Sequence, residues 1–409
     1  MKEITLRPYQ QDAIDRIIRD IEKPGNSLCS LPTGSGKSII IAEVARQINQ
    51  DVLILSPSKE ITEQNLEKLM NYVSRDEIGV YSASMNEKVI KRFTLATIGS
   101  IYKHPEFFEH FKIVLIDEAH GVNVKELNTM FSSFLVAIGN PKCIGFSATC
   151  WRLSTKSVPM WGEWSPGCET ERITVTKFLT RTGHWNKETN TTTIFWKRII
   201  VNVTMEQLIS EGYLIRPTYY NNSTISHADI PVNKSESDFD LEAYERLITS
   251  REDGIMDTIR RAQEVSTSVL VFCSSVEQAM RLQVVLKGSA VVSANTNKKE
   301  RERIIAGFKN GTIKTVFNVS CLTTGFDHPA LDCIILLRPT RSIGLYCQML
   351  GRGVRIAEGK TTCKIIDFTG TIKSLGRMEM IHAGYSNGKW DIITEKGAFH
   401  DKILYRFHK

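Results

Sequence analysis

Leu31-Pro32-Thr33-Gly34-Ser35-Gly36-Lys37-Ser38 is the stretch whose reading decides the fold. It follows a short apolar run at 27–31 and precedes a helical pattern at 39–47, so two glycines, a lysine and a hydroxyl fall on a strand-to-helix turn. Gly34 and Gly36 let backbone N–H groups face an anion with no Cβ in the way, and the helix N-terminus adds partial positive charge. Lys37 at that place reaches the β- and γ-phosphates of a nucleotide, and Ser38 offers its hydroxyl to Mg2+. Pro32, Thr33 and Ser35 complete a cradle for ATP. A plain turn with a helix cap is the ordinary alternative for eight residues taken alone.

Moving outward, apolar runs at 27–31, 52–55, 93–97, 113–116 and 143–146 alternate with helical patterns, which argues for β-α units on a parallel, doubly wound sheet. A second series at 269–272, 290–293, 315–318, 333–337 and 363–367 predicts a second sheet of the same kind. The fold class is α/β, with two such domains in tandem and a β-rich insertion between them. Asp117-Glu118-Ala119-His120 closes the fourth run, and a buried strand delivers its last residues to the ligand crevice of such a sheet. Asp117 would hold Mg2+ through water, and Glu118 would orient and deprotonate an attacking water. An isolated Asp-Glu is more often a solvated strand end; a phosphate loop upstream changes that balance.

In the second series, Gln348-Met349-Leu350-Gly351-Arg352-Gly353-Val354-Arg355 spaces Gln348, Arg352 and Arg355 four, three and seven apart, which predicts one helical face. Two guanidiniums there suit the charge that develops on a transferred phosphoryl group. The predicted organisation is an ATP-binding domain at 1–154, an insertion at 155–203, a connecting helix and linker at 204–250, a second domain at 251–370 and a basic extension at 371–409. The insertion region carries Trp151, Trp161, Trp164, Trp185 and Trp196, and Thr/Val/Ile-rich stretches flank the polar turn at 186–190, which predicts a β-hairpin. Thr204-Met205-Glu206-Gln207 is a capping box that opens a short helix ending at Gly212.

Composition sets limits. The 409 residues are 42% hydrophobic, enough for two cores, and no run approaches the ~20 apolar residues of a membrane span. A net charge of +7 suits nucleic acid without proving it. Nine cysteines with no C-x-x-C spacing read as buried thiols of a reducing compartment, with neither zinc ligation nor a disulfide framework.

In order and spacing, these motifs resemble those of the superfamily 2 helicases with a DEAH-type box, whose phosphate loop takes the Pro-Thr-Gly-Ser-Gly-Lys-Ser form. The resemblance implies two RecA-like domains with ATP in the cleft between them. It extends to weaker motifs. Leu6-Arg7-Pro8-Tyr9-Gln10 is similar to the Q motif, placing Arg7 and Gln10 at the adenine. Ser56-Pro57-Ser58-Lys59-Glu60 and Thr97-Ile98-Gly99-Ser100 resemble motifs Ia and Ib on the nucleic-acid backbone. Ser147-Ala148-Thr149 resembles motif III, which couples hydrolysis to strand movement. Val271-Phe272-Cys273-Ser274-Ser275 resembles motif IV, and Thr296 is assigned to nucleic acid with Ser274. Leu322-Thr323-Thr324-Gly325-Phe326-Asp327 resembles motif V: the threonines meet phosphate, and Gly325 and Asp327 meet the nucleotide. Gly212-Tyr213-Leu214-Ile215-Arg216-Pro217, the phrase 318–327 and Leu337-Arg338-Pro339-Thr340 are closest to the RadD-like bacterial DNA-repair helicases and their phage relatives.

The implied function is an ATP-dependent DNA helicase or translocase, a hydrolase that remodels or unwinds branched DNA in repair, recombination or replication. A double-strand translocase or annealing motor, and an RNA helicase, share the motifs. A restriction-type motor subunit needs a nuclease, and Glu358-Gly359-Lys360 has only a Glu-x-Lys look without an upstream acid. The expected partner is DNA, a single strand in the motor cleft with a fork or junction beside it. A single-stranded-DNA-binding protein is a candidate contact. The expected state is a monomer away from membranes, in a bacterial cytoplasm or in a host's if phage-encoded. Trp185, with the cations around it, is a candidate for base stacking.

Overall fold

The computed structural model describes residues 5–122, 129–153, 157–159, 163–164, 183–186, 191–223, 225–234, 238–322, 326–386, 389–395 and 397–398. The chain divides into two compact units, Met1–Arg152 with Val158–Thr204, and Leu153–Ser157 with Met205–Lys409.

The first unit is built on strands Asn26–Ser30 (β1), Val52–Ser56 (β2), Ile78–Ser82 (β3), Glu87–Lys88 (β4), Phe93–Thr97 (β5), Ile113–Asp117 (β6) and Lys142–Ser147 (β7). After Trp151–Leu153 (β8) and Ser157–Pro159 (β9), which pair with each other, come Glu163–Trp164 (β10), Gly183–Asn186 (β11), Thr191–Ile194 (β12) and Trp196–Asn202 (β13). The main sheet runs β10-β13-β1-β7-β6-β2-β5-β3-β4, parallel throughout except for the β3–β4 edge. β2 and β6 are buried along their whole length, which is why they read as unbroken apolar runs rather than as alternation; β3, buried as fully, lay outside the runs read from the sequence.

The segment expected as an insertion at 155–203 ends in β13, which lies parallel to β1 inside the first sheet. Trp196 is fully buried, and its ring occupies the space over Gly145, where a Cβ would collide with it. Arg198 reaches the buried Asp20 at 2.8 Å, which also accepts from Lys142 Nζ at 2.9 Å and from Ser27 Oγ at 2.6 Å. A charge cluster thus ties β13 to β7 and to the helix Pro8–Ile21. β11 and β12 form the antiparallel pair expected of the hairpin, with Trp185 opposite Thr192.

The second unit takes in the chain from Met205 onward, so residues 205–250, expected as a connecting helix and linker, fall within it. The helix Met205–Ser210 lies where the capping box placed one. Strands Thr218–Asn221 (β14), Val269–Phe272 (β15), Ser289–Val292 (β16), Thr315–Asn318 (β17), Cys333–Leu336 (β18) and Lys364–Asp367 (β19) form an all-parallel sheet ordered β14-β19-β18-β15-β17-β16. Beyond it, His382–Ser386 (β20), Lys389–Thr394 (β21) and Gly397–Ala398 (β22) make a three-stranded antiparallel sheet. Among the described residues, no helix is long and apolar enough to cross a membrane.

Candidate active site

The loop from Leu31 sits between β1 and the helix Lys37–Gln47. Gly36, the N-cap, has φ +77°, and a Cβ there would strike the Gln10 amide, so two independent constraints select glycine. Lys37 Nζ lies 2.5 Å from Glu118 Oε1 and 3.1 Å from Asp117 Oδ1. Burial works against its charge, but the two carboxylates outweigh burial and hold the ammonium pKa above its ordinary value. For Glu118 the balance is the same: burial would raise its pKa, and Lys37 and His120 pull it far below the carboxylate range.

Glu118 follows the end of β6 in the left-handed region, φ 50° and ψ 49°. That conformation costs a non-glycine residue about 1–3 kcal/mol. Its Oε1 meets Lys37, and its Oε2 lies 3.3 Å from His120 Nδ1. His120 Nδ1 is also 3.0 Å from Ser147 Oγ, which donates to the Thr149 carbonyl at 2.6 Å. His120 therefore stands between Glu118 and Ser147, in charge contact with the first and within hydrogen-bond distance of the second, whose hydroxyl reaches the Thr149 carbonyl. Asp117 is fixed on its far side: Asn65 Nδ2 donates to Oδ2 at 3.0 Å and also to Ser56 Oγ.

The donor set fits a nucleotide with Mg2+. The helix from Lys37 opens with the Lys37 and Ser38 N–H groups ahead of its first backbone bonds, which run from Ile39 and Ile40 to the Gly36 carbonyl, and one ammonium, the Ser38 hydroxyl and the Asp117 carboxylate stand at the same strand ends. No cluster of three or more His, Cys, Asp and Glu suited to a metal exists among the described residues. Mg2+ is commonly held by one or two carboxylates together with phosphate oxygens, so Asp117 and Ser38 suffice for it.

Gln10 is placed differently from the expected adenine contact. Its Oε1 accepts the Arg7 N–H at 3.0 Å and its Nε2 donates to the Ser35 carbonyl at 3.0 Å, joined there by the Tyr9 hydroxyl at 2.6 Å. The amide nitrogen braces the phosphate loop and the amide oxygen caps the start of Gln10's own helix, and reading a base edge would require releasing both. Pro32 and Ser35 are buried, whereas Thr33, Gly34 and Ser38 are half-buried along the loop.

In the second unit the helix Ile343–Leu350 ends before the arginines, so the single face expected for Gln348, Arg352 and Arg355 is not formed. Gly353 explains the stop: a Cβ there would collide with Cys363 Sγ and press on Ile334, so the chain must turn against β18 and β19. Gln348 remains on the helix. Arg352, 8% exposed, donates from Nη1 to the Phe326 carbonyl at 2.7 Å. Arg355 pairs with Asp327, so a residue assigned to phosphate and one assigned to the nucleotide hold each other.

Several expected nucleic-acid contacts have hydroxyls engaged within the fold. Ser58 caps the helix Lys59–Leu69, and Lys59 pairs with Glu63 at 3.3 Å. Thr97 Oγ1 and Ser100 Oγ are 2.9 Å apart, beside an open position at Gly99. Thr296 Oγ1 accepts the Ser293 N–H. Ser274 is buried and donates to the Leu337 carbonyl at 2.7 Å, so its hydroxyl is turned into the fold. Thr323, Thr324 and Gly325 lie outside the described residues, as does the Trp185 side chain. Asn65, Tyr9 and the role of His120 escaped sequence reasoning; only the histidine carried a signal, as the last letter of Asp-Glu-Ala-His.

With this geometry in view, two family models match: "Type III restriction enzyme, res subunit" over residues 3–152 and "Helicase conserved C-terminal domain" over 252–357. The Saccharomyces cerevisiae protein named as the ATP-dependent helicase IRC3 is 27% identical over 89% of this chain and 51% of its own length. The Schizosaccharomyces pombe protein named as the mitochondrial ATP-dependent helicase irc3 is 24% identical over 90% of this chain and 58% of its own. The chain thus spans little more than half the length of these relatives. The solved structure of the ATP-dependent Type ISP restriction-modification enzyme LlaBIII bound to DNA superposes with a TM-score of 0.61 at 16% identity, covering 90% of this chain and 28% of that one.

Proposed function

The chain belongs to the superfamily 2 helicases, and from that premise we propose that it hydrolyses ATP at the Lys37 loop and couples each cycle to movement along DNA. The observation that carries the reading is the Lys37–Glu118–His120–Ser147 series of contacts, because it joins a phosphate-binding cation and a general base to the motif assigned to coupling. Lys37 and the helix N-terminus bind the phosphates. Mg2+, held by Ser38 and Asp117, would neutralise charge on the phosphate oxygens. Glu118, ionised at neutral pH, orients the attacking water and takes its proton, and His120 on the second oxygen keeps that carboxylate aimed. Arg352 and Arg355 are assigned to the charge that develops on the transferred phosphoryl group.

DNA is the substrate that the RadD-like phrases at 212–217, 318–327 and 337–340 favour, with branched DNA in repair or recombination as its setting. Thr97, Gly99, Ser100, Ser58, Lys59, Thr323 and Thr324 are proposed on the strand path, where phosphate contacts position without specifying sequence. The test is ATP turnover with single-stranded DNA, duplex, fork, four-way junction or RNA, followed by unwinding of the best activator. Stimulation by branched or single-stranded DNA with strand separation is expected. Stimulation by RNA alone would overturn the DNA assignment, and stimulation by duplex without unwinding would make the protein a translocase.

A further inference from the structure

Glu358-Gly359-Lys360 is the one chemistry-bearing phrase that the proposed function leaves unused. The Lys360 ammonium donates to three backbone carbonyls: Gly353 at 2.7 Å, Pro329 at 2.8 Å and Arg355 at 2.9 Å. An ammonium carries three N–H donors and no acceptor, so all three are in use. Two of the carbonyls flank Val354 in the arginine segment. The third lies two residues past Asp327, on the loop that also supplies the Phe326 carbonyl to Arg352. Lys360 and Arg352 therefore stitch the same two segments together from opposite ends.

We propose that Lys360 is a positioning residue for hydrolysis, clamping the 352–355 segment to the loop that carries Asp327 so that Arg355 is presented in a fixed geometry. The proposal rests on the reading of Arg352 and Arg355 as phosphate-facing groups. It also removes Lys360 from any Glu-x-Lys nuclease arrangement, since its donors are committed to carbonyls.

The clamp has a pH signature. Burial pushes the Lys360 ammonium down to about 8; Cys363 and Asp332 oppose the shift and Arg355 adds to it. Of the other groups facing it, the Cys363 thiol is pushed up by burial, and the His328 imidazole is pushed down by burial with Lys309 and Lys360 itself. Neither changes charge between about pH 7 and about 9, on the ordinary values from which they are displaced. Above about pH 8 the neutral amine has two N–H donors for three carbonyls, and one contact is lost. Stability moves the other way. A folded-state pKa below the unfolded one means that this group favours the fold increasingly as pH rises from about 8 toward the ordinary lysine value near 10.4.

The experiment is kcat and KM for Mg–ATP from about pH 6.5 to about 9.5, for the full chain and for Lys360→Met and Lys360→Arg, with thermal unfolding recorded alongside. The parent kcat should fall above about pH 8 with little change in KM and no loss of thermal stability over the same window. Lys360→Met should be flat and lower in kcat by about 10²-fold, the scale of an ångström-sized misplacement of a catalytic group. Lys360→Arg, charged throughout, should be intermediate and flat. A parent profile without that fall, or Lys360→Met equal to the parent in kcat, overturns the proposal. Should Lys360→Met fail to fold, the parent profile and Lys360→Arg decide alone. Lys37→Ala separates the two readings: turnover that survives it refutes the proposed function, and Lys360's role with it. Lys37-dependent turnover that ignores Lys360 refutes only the clamp.

Discussion

At the scale of single residues, Lys37 faces Glu118 at 2.5 Å and Asp117 at 3.1 Å, and each of the three depends on the other two. Lys37→Ala should abolish ATP hydrolysis by removing the phosphate-binding cation. It should also leave two carboxylates uncompensated, lowering stability at neutral pH by about 3 kcal/mol, as when one partner of a buried pair is removed. The sign with pH follows from Glu118. Its depressed folded-state pKa gives stability that is present above the ordinary value of about 4.3 and is lost as pH falls. The gap between parent and variant should therefore be widest near neutrality and narrow below about pH 4 in denaturant titrations; a gap that widens in acid would contradict the ion-pair account. Glu118→Gln differs in kind: ATP binding should persist while turnover falls by at least about 10²-fold, since only water activation is lost. Near-normal turnover in that variant would assign the general base elsewhere. The sequence displayed Lys37, Asp117 and Glu118 because the phosphate loop and the acid pair are local patterns. Asn65 was invisible because its tie to Asp117 joins residues 52 apart in the chain.

At the scale of elements, the runs of β2, β6, β15 and β18 were legible because a strand buried on both faces leaves a nearly unbroken apolar word. β13 was hidden for the opposite reason. Trp196-Lys197-Arg198-Ile199 mixes cations with apolar residues, and it lies between β10 and β1 with Arg198 paired to the buried Asp20. The arginine segment was misread as helix because its spacing fits one, whereas what ends the helix at Leu350 is the approach of Gly353 to Cys363, a contact between distant strands and loops. The β11–β12 pair carries the element-scale prediction. Replacing 185–190 by a short Gly-Ser turn should spare hydrolysis driven by single strands and impair activity on forked or four-way DNA. Aromatic and cationic residues at such a tip suit base stacking worth about 1–3 kcal/mol per base. Equal processing of branched and linear DNA by the shortened protein would make the pair a structural element alone.

At the scale of the whole molecule, the residues proposed for hydrolysis fall in both units, Lys37 and Glu118 in the first and Arg355 in the second, and variants of them should fail differently. Arg355→Ala should lower kcat by about 10³-fold, the scale of arginine-finger removal, with ATP affinity little changed. Equal losses in binding and turnover would make Arg355 a ground-state anchor. Its partner Asp327 lies on a loop tied to the same segment, so loss of Arg355 should leave the second unit folded, as thermal unfolding would show.

The strand path adds the other whole-molecule expectation. A net charge of +7 spread over 409 residues is too diffuse to bind a strand by itself, so affinity has to come from contacts gathered along the proposed path. Each phosphate neutralised there releases condensed counterions, and log K for single-stranded DNA should fall linearly with log salt at about −0.7 per phosphate. Lys59→Ala should reduce that slope by about one contact and weaken binding uniformly across sequences. Ser274→Ala should leave the slope unchanged, because its hydroxyl is held by the Leu337 carbonyl inside the fold. Fluorescence anisotropy across a salt series reads both. A flat dependence in the parent would contradict the path, and a slope that responds to Ser274 but not to Lys59 would move it from the helix Lys59–Leu69 to the end of β15.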